Sequence, residues 1–179
     1  MALVFYAAAT TEGSLMAVKT VNSLSHYTDW TVAHVHSGAI GWVATITIGS
    51  LYAMAPRARR RPAMHSKRSM ELHFWMHTAG LILYVAAMWT AGVTEGLMWR
   101  ATDANGALIY PFIDSLIAVR PFYLIRFLGG LLIVGGMIAM AWNLWHTAAD
   151  ARARLIKPIP VPIPEPEPLQ MPAPVAARA

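Results

Sequence analysis

Two histidines stand two residues apart, His34 and His36, in the string TVAHVHSGAIGW. An imidazole ligates transition metals and carries a proton near neutral pH. In a β-strand this spacing would bring both rings to one face, where they could share an ion. In an α-helix of 3.6 residues per turn the two rings point ~200° apart and cannot chelate one metal. If both are ligands, they serve two centres flanking one helix. Gly38 and Gly41 lie at i+4 and i+7 from His34, so its face reads as nearly bare, with Trp30 and Ser37 on the same side. The His36 side carries Val32, Ile40 and Val43. A bare groove and an apolar wall both suit haem, a wide flat group whose iron takes an axial histidine. The plainer alternative is a pair of hydrogen-bonded packing histidines, with glycines for close helix approach. Ionisable groups at membrane depth are costly, however, and function is the first reading for them.

The other histidines say less. His73 and His77 are i, i+4 and share a helical face. They suit a metal pair or part of a proton path, or, more plainly, an interfacial position beside basic neighbours. His65 and His146 are expected in solvent. Glu12 and His26 fall in a polar stretch ahead of the paired histidines. A buried glutamate there would accept the second imidazole proton of a ligating histidine, fixing its tautomer. Cysteine is absent, which excludes disulfides, thiolate metal sites, iron–sulfur clusters and covalently attached c-type haem. There is no GxSxG, Walker loop or HExxH to support hydrolytic chemistry.

The elements that must position these residues are membrane helices. Of 179 residues, 56% are hydrophobic and 13% charged, about half the charge of an ordinary soluble domain. Three apolar blocks are long enough to cross a bilayer, residues 31–56, 74–99 and 122–145; the first would cover roughly 38 Å as a helix. Pro56 reads as its stop signal. Trp30, Tyr52, Trp75, Trp99, Tyr123, Trp142 and Trp145 lie near the ends, as interfacial aromatic belts do. Residues 1–9 read as the last turns of a helix, and 10–30 as a polar loop or interfacial segment. The expected fold is an all-α membrane protein with three transmembrane helices, an N-terminal helix stub and a disordered Pro-rich tail. Its parts are 1–30 (stub and outer loop), 31–147 (three-span segment) and 148–179 (tail).

Charge sets the orientation. The net formal charge is +5. Arg57, Arg59, Arg60, Arg61, Lys67 and Arg68 follow the first span, and Arg152, Arg154 and Lys157 follow the third. The positive-inside bias places both segments in the cytoplasm, with 10–30 and 100–121 on the outer side. This clustering implies contact with lipid head groups rather than nucleic acid, since no aromatic residues interleave the arginines. From Pro158 to Pro168 every second residue is proline, a pattern that favours an extended, solvated spacer.

The string HYTDWTVAHVHSGAIGW (26–42) closely resembles the tenth-helix segment of the catalytic subunit I of cbb3-type cytochrome c oxidases, the C family of haem–copper oxidases. FYAAATTEGSLMAVKTVNSLS (5–25) is similar to the preceding helix end and loop. ELHFWMHTAGLILYVAAMWTAGVTEGLMWRATDANG (71–106) is similar to the eleventh helix and its exit, and PFYLIRFLGGLLIVGGMIAMAWNLWHT (121–147) to the twelfth. The resemblance implies that His34 is the proximal ligand of the high-spin haem b at the oxygen-reducing centre, and His36 an axial ligand of the low-spin haem b. It implies that Glu12 hydrogen-bonds the proximal histidine and that His26 lies near the haem propionates. It implies oxygen reduction to water with electrons from cytochrome c, coupled to proton translocation in a bacterial inner membrane. Partners would be the remaining helices of subunit I and c-type cytochrome subunits. The copper ligands, the active-site tyrosine and the second axial histidine of the low-spin haem would lie on earlier helices, so this chain would ligate no copper. His77 departs from the small apolar residue expected there. The chain reads as the C-terminal part of such a subunit, with Met1 inside an apolar run. Two alternatives stay open: a truncated, non-catalytic membrane paralogue acting in assembly or regulation, and a nitric oxide reductase relative.

Overall fold

A computed structural model describes residues 1–156, with side-chain surroundings through Asp150. The Pro-rich run from Pro158, expected to be disordered, lies outside the described residues. The chain forms α1 (Ala2–Met16), α2 (Lys19–Ser25), α3 (Asp29–His36), a π-helical segment (Ser37–Ala44), α4 (Thr45–Ala58), α5 (Lys67–Arg100) and α6 (Phe112–Ile156). Helix α3, the π segment and α4 run on as one rod, Asp29–Ala58. That rod, α5 and Phe112–Asp150 are each long and apolar enough to cross a membrane. Among the described residues there is no named strand, only an isolated bridge between Thr102 and Leu108. The protein is an all-helical, multi-pass membrane protein.

The helices outrun the apolar blocks that announce them. Helix α1 continues to Met16 through Thr10, Thr11, Glu12 and Ser14, where a polar loop was expected. It can do so because Glu12 and Ser14 find partners within the fold and Thr10 and Thr11 are exposed. Ser14 Oγ donates to the Thr10 carbonyl at 3.1 Å, and Glu12 is bonded by two indoles described below. Pro56 does not stop α4 but lies inside it. The helix closes two residues later on the Pro56 carbonyl, which accepts from the Arg61 N–H at 2.7 Å while Arg60 N–H bonds the Arg57 carbonyl at 3.0 Å. With Arg60 at φ 52°, this is a Schellman ending with arginine where glycine is usual. Helix α6 begins ten residues before the expected 122, with Asp114 in its first turn, favourable for the helix dipole, and Pro121 inside it.

Helix α5 is the centre of the bundle. Its buried positions include 73, 77, 80, 81, 85, 88, 91, 92, 95 and 96, the alternating three–four spacing of a helix face directed inward. Leu81, Val85, Met88 and Ala91 meet Ala33 of α3 and Val119 of α6 in one core. Small residues set the approach of the backbones. A Cβ at Gly80 would stand 2.6 Å from the Gly129 carbonyl oxygen, and one at Gly129 2.6 Å from that of Gly80. Gly92 admits the backbone of Trp30, and Gly96 that of Leu24.

The two ends of the bundle are tied separately. At one end, Asn143 of α6 accepts the Ser66 N–H at 2.9 Å and donates to the Ser66 carbonyl at 2.8 Å. There Asp150 meets Arg61 at 3.2 Å and His65 at 2.9 Å. At the other end, Glu95 accepts the Asp29 N–H at 2.8 Å, Arg100 donates to Ser23 at 2.8 Å, and Trp99 donates to Ser115 at 3.1 Å. The basic 57–68 segment and the far end of α6 therefore share one end, as the charge pattern required.

Candidate functional site

The first span is locked in place at its start. Thr28 caps α3, its Oγ1 accepting from the Trp30 N–H at 3.3 Å. Six residues on, His34 and His36 leave the helix on different sides. His34 faces α1: its Nδ1 lies 3.4 Å from Glu12 Oε2, and a Cβ on Gly13 would stand 3.2 Å from its Cε1. His36 faces α5: its ring lies 5.0 Å from that of Tyr84, centroid to centroid.

Hydrogen-bond partners fix both tautomers. The Val32 carbonyl can only accept, so His36 Nδ1, 2.8 Å away, donates to it. Glu12 as a carboxylate likewise accepts from His34 Nδ1. In this arrangement the lone pair of each ring lies on Nε2. The Tyr84 hydroxyl stands 3.5 Å from His36 Nε2, too far for a good hydrogen bond. An engaged Nδ1–H and a free Nε2 is the arrangement of a metal-ligating histidine. Each ring is of the kind that would suit holding a haem iron, were one present.

Glu12 is held more firmly than sequence spacing foretells. Its Oε1 accepts from both Trp30 Nε1 and Trp89 Nε1 at 2.6 Å, while Oε2 turns to His34. Trp89 lies 77 residues from Glu12 along the chain, and no local pattern singles it out. Tyr84 escaped notice for the same reason. His26, by contrast, is exposed; its ring lies on Tyr27, centroids 4.0 Å apart, outside the Glu12–His34 group.

The bare face expected beside His34 is covered by α1. Gly41 meets the Phe5 ring, and a Cβ on Gly38 would stand 3.9 Å from that of Ala9. The glycines let a helix approach, and the remaining space is a cleft of about 270 Å³ between Ala9, Thr10, His34, Val35, Gly38 and Trp42. The helix also widens to π geometry from Ser37, one residue after His36, so a constant α-helical turn does not hold beyond it.

His73 and His77 depart from the interfacial reading. Each is only 4% exposed, because α4 and α6 close over the face of α5 that carries them. His65 is exposed, but it pairs with Asp150 and its ring lies 4.9 Å from that of His146. Among the described residues, no group of three or more His, Cys, Asp or Glu side chains is placed to hold a metal ion.

The molecule is thus a helical membrane protein whose first span presents a free imidazole nitrogen on each of two flanks. Residues 1–132 match the family model described as Cytochrome C and Quinol oxidase polypeptide I, and the chain belongs to that family. It is 49% identical over 152 residues to the Cbb3-type cytochrome c oxidase subunit CcoN1 of Stutzerimonas stutzeri, a match covering 85% of this chain and 32% of that protein. It is 50% identical over 151 residues to a cytochrome c oxidase subunit 1 homolog of Azorhizobium caulinodans, covering 84% of this chain and 27% of that protein. Against cytochrome c oxidase subunit 1 of Rhodobacter capsulatus it is 50% identical over 145 residues, or 81% and 27%. The chain spans about a third or less of the length of these relatives.

Proposed function

We propose that this chain works as the haem-ligating C-terminal part of a cbb3-type oxidase subunit I in a bacterial inner membrane. The complete subunit would reduce oxygen to water with electrons from cytochrome c, coupled to proton translocation. One observation carries the reading: two imidazoles on one membrane helix, each with Nδ1 engaged and Nε2 free, directed at different helices. His34 would hold the iron of the high-spin haem b, and His36 that of the low-spin haem b. When bound, the haems supply electron transfer and oxygen activation.

This chain's residues supply position and electrostatics. Glu12 orients His34 and, as an acceptor at Nδ1, raises the basicity of Nε2. Trp30 and Trp89 hold Glu12 in register. The Val32 carbonyl does for His36 what Glu12 does for His34, with a neutral acceptor in place of a carboxylate. The two irons are thus given ligands of unequal basicity from one rod. The remaining helices of subunit I would hold copper and complete the low-spin haem site, and c-type cytochrome subunits would deliver the electrons. The 57–68 segment and the tail after α6 lie on the cytoplasmic side, against anionic head groups.

The test is spectroscopic. The chain is expressed with the rest of subunit I and its partner subunits, and reduced-minus-oxidised spectra are recorded. His36→Ala is expected to remove the low-spin b-type signal, and His34→Ala to remove carbon monoxide binding at the high-spin haem. Unchanged spectra in both variants would end the assignment.

A further inference from the structure

The haem assignment leaves unused a second buried group, at the end of the bundle that carries the basic loop. His73 and His77 of α5 are each 4% exposed, with ring centroids 5.6 Å apart. Tyr52 of α4 reaches His73 Nδ1 with its hydroxyl at 3.1 Å. Thr45 Oγ1 lies 3.4 Å from His77 Nε2. From α6, Gly136 leaves room for the pair: a Cβ there would stand 3.3 Å from His73 Cδ2. Both rings line a half-open cleft of about 420 Å³ between α4 and α5, with Met1 and Ala2 at its edge.

Three buried polar atoms around this cavity have no protein partner: His73 Nε2, His77 Nδ1 and Thr78 Oγ1. Such atoms are rare and call for water or an ion. Their polarity follows from the neighbours. The Thr45 hydroxyl gives its one proton to the Ile40 carbonyl at 3.1 Å, so toward His77 it can only accept. Nε2 of His77 therefore carries the hydrogen, and its buried Nδ1 is a bare lone pair. When the Tyr52 hydroxyl donates to His73 Nδ1, the hydrogen of His73 sits on the unpartnered Nε2. One ring then lacks a donor and the other lacks an acceptor, a complementary pair that water satisfies.

We propose that His73, His77, Tyr52 and Thr78 enclose a hydrated pocket that holds one exchangeable proton. A proton from water at the loop end adds to the lone pair of His77 Nδ1, whose new N–H then donates to the pocket water as the His73 Nε2–H does; release reverses the step, and nothing is oxidised or reduced. The titratable groups lining the cavity are few. Lys67 and Glu71 stand exposed at its mouth, 3.7 Å apart. Tyr52 faces the pair from α4, Met1 lies at the start of α1, and α6 contributes no residue to the lining among the described ones. A second proton is disfavoured on the order of a hundredfold by repulsion between two charged rings at this separation, taking an effective dielectric of about 20.

The test uses the complete oxidase in lipid, labelled with ¹⁵N-histidine, with His73→Gln and His77→Gln assigning the signals. It reads nitrogen shifts and magnetisation transfer from water, neither of which depends on haem content or turnover, so its failure is separate from failure of the haem assignment. Expected are water transfer to both rings, a bare Nδ1 on His77, and uptake of a single proton by the pair on acidification. Gly49→Leu fills the cavity; a Cβ there meets no atom within 4 Å. It should cut water transfer severalfold while both rings remain visible. Dry rings in the parent enzyme, independent protonation of both rings, or nitrogen shifts of a bound metal would each overturn the proposal.

Discussion

Replacing Glu12 by glutamine keeps the shape of the side chain and removes its charge. The amide oxygen still accepts from Trp30 and Trp89, now both 2.6 Å from Oε1, while an NH₂ group faces His34 Nδ1 where a carboxylate oxygen stood at 3.4 Å. Two donors then oppose each other, so the imidazole loses its acceptor and Nε2 becomes a poorer base. Loss of such an outer partner typically weakens metal binding about 10- to 100-fold. The 3.4 Å separation is longer than an ordinary hydrogen bond, which places the effect at the low end. The ferric form, with the greater positive charge, loses more than the ferrous form. A differential effect of about tenfold in the one-electron equilibrium corresponds to about 59 mV. Glu12→Gln is therefore expected to raise the midpoint potential of the high-spin haem by up to about 59 mV and leave that of the low-spin haem in place. Potentiometric titration of the assembled oxidase, followed at the carbon monoxide-sensitive band, measures the shift. An unmoved high-spin potential with both haems present, or an equal shift in both, would refute the role given to Glu12.

Two further outcomes concern the bundle. Asn143→Leu leaves the Ser66 N–H without its acceptor at 2.9 Å and the Ser66 carbonyl with the Met70 N–H alone; at about 1–3 kcal/mol for an unsatisfied buried group, it should lower the thermal midpoint of the detergent-solubilised enzyme, whereas Ile138→Leu, on an exposed part of the same helix, should not. Gly80→Val drives a side chain into the Gly129 carbonyl and should separate α5 from α6; a cysteine pair placed across that crossing should then crosslink less, and undiminished crosslinking would mean the backbones do not approach as described.

The three spans were legible in the sequence because apolar length alone defines them, and the sharing of one end by the basic segments followed from charge. The divergence of His34 and His36 was legible too, since the segment that carries them, Asp29–His36, is α-helical. What escaped notice depended on contacts between distant residues. Glu12 could be suspected of meeting His34, but its clamp by Trp89 rests on a side chain of α5 reaching α1 beside Trp30, and no periodicity encodes that contact. Glycines at 38 and 41 signal close approach without naming what approaches, which is α1. His73 and His77 read as interfacial because basic residues precede them; their burial is decided by Gly136 and Tyr52, on two other helices.

The π segment joins the two groups of histidines in one physical account. Over Ser37–Ala44 the helix carries about one extra residue per turn, since the backbone bonds reach five residues back. The Thr45 hydroxyl likewise reaches the carbonyl of Ile40, five residues before it. In an unbroken α-helix, a threonine hydroxyl bonds the carbonyl three or four residues back, here that of Trp42 or Gly41. Their carbonyls would point elsewhere around the rod, and Thr45 would face His77 differently. The widening therefore sets how the Thr45 hydroxyl meets His77 Nε2 at 3.4 Å, while Ser37, at its first position, bonds the carbonyl of His34 at 2.8 Å. π-bulges of this kind are frequent at functional sites because they re-aim side chains at little cost in hydrogen bonds. Here one runs from the residue after His36 to the residue before Thr45, so a change of register within it would disturb the free nitrogens of the first span and the buried pair on α5 together.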